Sequence, residues 1–277
     1  MCGIAGFVGS RPLDEARVEA CLSTMRRRGP DGSASRHFVT ADGRHVHLLN
    51  ARLSIIDLDP RADQPFSLGT RTMTYNGELY NYREVREELA AGGRCFGTQS
   101  DTEVLLAAVE QWGDAAWTRL EGMWGAAIFD ESDGSLLLSR DRFGEKPLYI
   151  YEDATGLYFG SEPKNIAALV GRALPVNTRQ VRRFLVNGYR SLYARGETFF
   201  DGLRELPSAS WLRVGADGRQ MERRFWEPGY APEDGMTWED AVAGARARLR
   251  KARSVTAWAN ITPTGGATRA TKLKLAR

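Results

Sequence analysis

The chain has almost no lead-in before it must fold. Behind Met1, the run Cys2-Gly3-Ile4-Ala5-Gly6-Phe7-Val8 reads as a short apolar strand opened by a small, permissive residue. Such a run holds the terminus rigidly inside the fold. It is not a secretory signal, because no basic segment, long apolar stretch and small-residue cleavage site follow one another. Removal of Met1 would put a thiol and a free α-amine on one terminal residue, Cys2. A nucleophile that carries its own general base needs no separate histidine.

The 277 residues, 42% of them apolar, allow one large domain or a domain with an appendage. No stretch approaches the ~18 apolar residues of a membrane span, so no membrane association is expected. The three cysteines, Cys2, Cys21 and Cys95, are odd in number and far apart. A disulfide framework or a zinc knuckle is therefore not expected, no metal site is assigned, and a reducing, cytoplasmic location is the reading. The net charge is only +3, with the basic excess late in the chain at Arg246, Arg248, Arg250, Lys251, Arg253, Arg269, Lys272, Lys274 and Arg277. No aromatic interleaving or reading module accompanies it, so no nucleic-acid partner is expected.

A helix is expected from Asp14, with Val18, Cys21, Leu22 and Met25 on one face and its end before Gly29-Pro30. Asn81 with Glu84 reads as a capping box opening a helix lined by Tyr82, Val85 and Leu89. Ser100 with Glu103 repeats the pattern ahead of Val104, Leu105, Ala108 and Trp112. The segments Trp124 to Phe129, Leu136 to Ser139, Leu148 to Tyr151 and Leu157 to Phe159 read as strands, with turns at Asp133-Gly134 and near Gly156. Mixed helices and hairpins argue for layers rather than a bundle or a pure sandwich.

Attack by Cys2 on a carboxamide would generate an oxyanion in need of preorganised donors. Tyr75-Asn76-Gly77-Glu78 offers a side-chain amide followed by a glycine N–H at a strand end. The α-carboxylate of an amino acid amide suits the rigid fork of Arg52, and its ammonium suits Asp101 with Glu78. Each residue also has a plain structural reading. Asn-Gly is common in turns, Ser-Asp is a common helix start, and an early cysteine is often an inert small hydrophobe.

As a set, the motifs are more specific. The opening MCGIAGFVG, RRGPDG at Arg27 to Gly32, RLSIIDL at Arg52 to Leu58, YNGELYNYRE at Tyr75 to Glu84 and SDTEVLL at Ser100 to Leu106 resemble the glutaminase domain of asparagine synthetases, a class II glutamine amidotransferase. EGMWGAAIFD from Glu121, RDRFGEKPLY from Arg140 and FGSEPKNIAAL from Phe159 continue the resemblance over roughly the first 210 residues. It implies an α+β fold, a four-layer α/β/β/α sandwich of two antiparallel sheets of the N-terminal-nucleophile hydrolase type. It further implies Cys2 as nucleophile and base, Asn76 and Gly77 as oxyanion hole, and Arg52, Glu78 and Asp101 as holders of L-glutamine. Leu53, Ser54, Ile55 and Ile56 are implied as backbone contacts. Arg28-Gly29-Pro30-Asp31 reads either as a loop over the site or as a helix stop followed by a turn. Asn50 and Arg27 stand where relatives often have histidine, which touches fine geometry rather than reaction type.

The expected organisation is a glutaminase domain over 1–210, a linker and start of a truncated synthetase region over 211–250, and a low-complexity, flexible tail over 251–277. The resemblance implies ammonia passed to an ATP-dependent synthetase subunit or domain that amidates aspartate or a related carboxylate. A phosphate-cradling loop of the Ser-Gly-Gly-Leu-Asp-Ser type is missing from Thr262 to Thr268, so this chain alone is not expected to make asparagine. Glutamine hydrolysis is expected to need no cofactor, with ATP and Mg required only where a synthetase partner exists. A homodimer is compatible with the sequence. The competing account is a degenerate domain kept as a partner-binding module. Retention of a thiol, donors and opposed charges together favours the enzyme.

Overall fold

The computed structural model describes residues 1–191, 196–232 and 234–259. Thr262 to Thr268 and the last four basic residues, Arg269, Lys272, Lys274 and Arg277, lie outside them, as does most of the expected tail. The described chain forms two units. The first comprises Met1–Ser54, Asp63–Gly77 and Met123–Phe225, and the second Ile55–Ala62, Glu78–Gly122 and the described residues from Trp226 on.

The apolar opening run becomes strand β1 (Gly3–Gly9), buried at every position. It lies inside a six-stranded sheet of order β10 (Leu203–Glu205), β8 (Tyr149–Asp153), β9 (Gly156–Gly160), β1, β3 (His45–Arg52), β2 (Gly32–Val39). β1 pairs antiparallel with β3 on one edge and with β9 on the other. The second sheet has the order β12 (Gln220–Arg224), β11 (Ser210–Val214), β7 (Ser135–Arg140), β6 (Gly122–Asp130), β5 (Arg71–Leu79), β4 (Phe66–Leu68). The strands expected between Trp124 and Phe159 are β6 to β9, split between the two sheets.

β1 is covered on both faces, which is why its sequence is continuously apolar rather than alternating. Ile4 and Val8 join Leu48, Phe159, Ala127, Phe129, Leu138 and Leu212 in the core between the sheets. On the opposite face, Ala5 and Phe7 pack with Leu49 and Ala51 against helices α1 (Glu15–Met25) and α5 (Pro163–Val170), through Cys21, Met25, Ile166 and Leu169. α1 is capped by Asp14, whose carboxylate accepts from Arg17 N–H at 2.9 Å. The architecture is the expected α+β arrangement of two antiparallel sheets with helices.

In the second unit, α2 (Tyr82–Ala91) and α3 (Asp101–Trp112) pack on each other, followed by the short α4 (Ala116–Arg119). Both helices start where expected, but neither capping box closes. Asn81 makes no cap bond. Its amide instead donates to Arg119 O at 2.9 Å and accepts from Glu121 N–H at 2.9 Å. Ser100 does cap α3, accepting from Thr102 N–H at 3.2 Å, but Glu103 turns away to Gly97 N–H, Thr98 N–H and the Thr98 hydroxyl. In both cases loop donors and acceptors displaced the local partner. α6 (Thr178–Asn187) belongs to the first unit, and the second ends in α7 (Trp238–Ala259), which crosses the expected 250/251 boundary. No helix among the described residues is long and apolar enough to cross a membrane.

The three histidines stack along β2 and β3. His37 lies 4.2 Å from His47 and 5.2 Å from His45 between ring centroids. His47 is buried, and its Nε2 accepts from Leu13 N–H at 3.2 Å, so the ring is neutral with its proton on Nδ1. Burial, then the neighbouring His37 and His45, pushes its pKa down to about 4. Folding thus favours the neutral ring. Stability from this site is complete above the unfolded pKa near 6.5 and is lost as pH falls from there towards 4, because the unfolded chain binds the proton first. Denaturant melts should lose up to about 3 kcal/mol over that window from this residue. His47→Gln should flatten the slope between pH 6.5 and 4. An unaltered slope would place the acid sensitivity elsewhere.

Candidate active site

Strand register sets the position of Cys2. Gly3 lies opposite Ala51 and Ile4 opposite Asn50, so the residue ahead of β1 meets the chain leaving β3. Leu53 N–H donates to the Cys2 thiol at 3.3 Å, and the thiol lies 3.6 Å from Leu53 O. Cys2 is half-buried, whereas burial pushes the Cys21 thiol up to about 12 and removes it as a nucleophile.

The segment Arg28-Gly29-Pro30-Asp31 ends the turn after α1, as the helix-stop reading expects, and also fastens this corner. Arg28 Nε donates to Cys2 O at 3.0 Å. A Cβ on Gly29 would lie 2.1 Å from Ala51 C and O, so only glycine lets the loop rest on β3. Asp31 N–H donates to Arg52 O at 3.1 Å, and its carboxylate accepts from Ser54 N–H at 2.8 Å.

Met1 still precedes Cys2 here, and the terminal ammonium is Met1's. Its pKa is lowered by burial first and by the Arg28 and Lys146 cations, against opposing effects of Cys2 and Asp31. Lys146 is buried, with Nζ 3.2 Å from Met1 Sδ. It is held by a knot that the sequence reading used only for resemblance. The buried Asp141 carboxylate accepts from the N–H groups of Trp124, Phe143, Glu145 and Lys146 at 3.0 to 3.1 Å. Arg140 donates to the carbonyls of Gly144, Lys146 and Leu206 at 2.8 to 2.9 Å.

Arg52 ends β3 with its side chain 8% exposed, ion-paired with Asp63. Two residues earlier, the buried Asn50 amide donates to Gln64 Oε1 and to Thr74 Oγ1, each at 3.1 Å. Gln64 Oε1 also accepts from Tyr75 N–H at 2.6 Å. This bridge ties the strand of Arg52 to the strand of Asn76. Neither Gln64 nor the role of Asn50 was visible in the sequence, since a buried amide pair leaves no periodic signal.

Asn76 and Gly77 lie within β5, short of its last residue Leu79 rather than in a turn. Asn76 is 1% exposed, and its Nδ2 donor has no hydrogen-bond partner among the described residues. A buried amide donor left unpaired costs about 1–3 kcal/mol, which calls for a compensating role. A Cβ on Gly77 would sit 2.3 Å from Met123 O, so β6 approaches too closely for any side chain.

In the second unit, Glu78 and Asp101 are both buried. Asp101 opens α3 and accepts from Leu79 N–H, next to Glu78, at 3.0 Å. Ile55 and Ile56 are partly buried in the same unit, while Leu53 and Ser54 belong to the first. No group of three histidine, cysteine or acidic side chains able to hold a metal ion occurs among the described residues.

The first unit therefore holds a half-buried thiol beside the N-terminus, a buried guanidinium and a buried, unpaired amide donor, and the second holds two buried carboxylates. Residues 1–226 match the family model described as a glutamine amidotransferase domain. The putative asparagine synthetase (glutamine-hydrolyzing) of Mycobacterium tuberculosis is 36% identical over 251 residues, 83% of this chain and 38% of that protein. Asparagine synthetase (glutamine-hydrolyzing) 3 of Bacillus subtilis is 31% identical over 261 residues, 91% of this chain and 41% of that protein. The chain spans about two fifths of the length of these curated relatives. The fold matches glutamine phosphoribosylpyrophosphate amidotransferase of B. subtilis with a TM-score of 0.59 at 17% identity, over 82% of this chain and 50% of that one. With a family model spanning most of its length, this chain belongs to the glutamine amidotransferase domain family.

Proposed function

We propose that this chain hydrolyses L-glutamine to L-glutamate and ammonia through a glutamyl thioester on Cys2. The observation that carries the reading is the Asn76 amide, buried in β5 with its Nδ2 donor unpaired and followed by the backbone N–H of Gly77. Such a pair is suited to an oxyanion.

After loss of Met1, the Cys2 amine takes the thiol proton and the sulfur attacks the side-chain carboxamide carbon of glutamine. The carbonyl π electrons move to oxygen, which Asn76 Nδ2 and Gly77 N–H receive. Collapse breaks the C–N bond, and the proton held on the amine leaves with ammonia. Water then adds to the thioester, the amine again taking a proton, and release of glutamate restores the thiol.

In this reading Arg52 holds the substrate carboxylate, and Leu53 to Ile56 offer backbone contacts. Glu78 and Asp101 hold the substrate ammonium, an assignment resting on the sequence match and on their burial as carboxylates. Glutamine hydrolysis by these groups uses no cofactor. The relatives are named as glutamine-hydrolyzing asparagine synthetases; in this reading the ammonia from this chain is destined for ATP- and Mg-dependent amidation of aspartate or a related carboxylate by a synthetase domain or subunit. The proposed boundaries place the glutaminase domain at 1–210 and a linker with the start of a synthetase region at 211–250.

Cys2→Ala should abolish glutamate release while leaving the thermal melt unchanged, because it removes chemistry more than packing. Wild-type turnover persisting in that variant would exclude the mechanism. Asn76→Ala should lower kcat about 10²- to 10³-fold with little change in KM, as removal of one oxyanion donor does. Arg52→Lys should weaken glutamine by about 2–5 kcal/mol, read in KM, because a point charge does not replace a fork. An unchanged KM would remove Arg52 from the site.

A further inference from the structure

Arg52 and Asp63 bracket residues 53–62 in the chain and meet as an ion pair in the first unit. The partners are unequal. The Arg52 side chain is 8% exposed, that of Asp63 61%. Asp63 thus reaches inward from a largely hydrated position to a guanidinium that is out of water. A buried guanidinium is costly without a counter-ion, whereas an exposed carboxylate regains its hydration when released. The guanidinium whose Nη1 takes Asp63 Oδ1 is the one assigned to the substrate's α-carboxylate, and the two ligands are the same chemical group.

We propose that Asp63 is an intramolecular competitor for the substrate carboxylate. It neutralises Arg52 in the free protein and must be displaced before glutamine, or any carboxylate-bearing ligand, can engage the fork. The proposal rests on the assignment of Arg52 given under the proposed function. Asp63 then sets KM and leaves kcat alone, since it is out of the fork once substrate is in. The apparent affinity is the intrinsic one multiplied by the fraction of time the fork is open, and a half-hydrated pair closes it most but not all of the time. The position tolerates substitution. Its neighbour Gln64 is anchored by Asn50 Nδ2 at 3.1 Å and by Tyr75 N–H at 2.6 Å, so the backbone does not depend on the Asp63 carboxylate.

If Asp63 were only a brace that orients Arg52, its loss would raise KM. The two roles therefore differ in sign. Steady-state glutaminase kinetics of Asp63→Asn and Asp63→Ala, with matched thermal melts, should show KM lowered about 3- to 10-fold and kcat within about twofold of wild type. Asp63→Glu should return KM towards wild type. In a second arm, Cys2 is alkylated at subsaturating reagent. The rate with 6-diazo-5-oxo-L-norleucine, which carries an α-carboxylate, should rise in Asp63→Asn, while that with neutral chloroacetamide should not change. An unchanged or raised KM in an otherwise active enzyme overturns the competitor and leaves the glutaminase reading intact. A wild-type protein with neither turnover nor glutamine-protected labelling overturns the underlying reading instead.

Discussion

The burial of β1 on both faces and both edges is the constraint on which the site depends. A reactive residue at a chain terminus is ordinarily the least ordered part of a protein. Here the next seven residues are locked between β3 and β9, with one core on each side. Cys2 inherits that order. Its thiol and carbonyl are fixed by Leu53 and Arg28, each of which is fixed in turn through Asp31, Gly29 and the end of β3. In the proposed mechanism loss of Met1 makes the Cys2 amine available, and burial of the following strand makes its location definite.

A second set of contacts fixes the remaining groups of the first unit relative to this corner. The Asn50–Gln64–Tyr75 bridge links β3 to β5, so that Arg52 and Asn76 are carried on strands joined by buried hydrogen bonds. The Asp141 knot delivers Lys146 to Met1. Two acceptors in these contacts are exacting: Gln64 Oε1 takes two donors and the Asp141 carboxylate four, and loss of either would leave those donors unpaired. The site is held by second-layer polar contacts as much as by the hydrophobic core.

Much of this was legible in the sequence because it is carried by contiguous signals. The apolar run before Gly9, the capped start of α1 at Asp14, the buried faces of α2 and α3, and the hairpins from Trp124 to Phe159 all rest on periodicity or turn chemistry, and motif resemblance indicated the family. What was not legible depends on partners distant in sequence. Asn81 and Glu103 have the residue types and spacing of capping boxes, yet each is engaged by groups outside its helix that local reading cannot see. Gln64 and Asp63 stand in an unpatterned loop, and nothing in their neighbours foretells that one would bridge strands and the other pair with Arg52. Asn76 is the instructive case: its spacing raised the oxyanion reading, but Asn-Gly in a turn remained equally available until β5 was seen to run through it.

The central claim is that the terminal Cys2 is the nucleophile, and covalent trapping tests it most directly. The purified protein would be incubated with 6-diazo-5-oxo-L-norleucine, with and without excess L-glutamine, and followed by intact mass and peptide mapping. The account predicts a chain that begins at Cys2, one adduct on that residue, and protection by glutamine. A protein that retains Met1, or takes the label at exposed Cys95 while Cys2 stays unmodified, would contradict it.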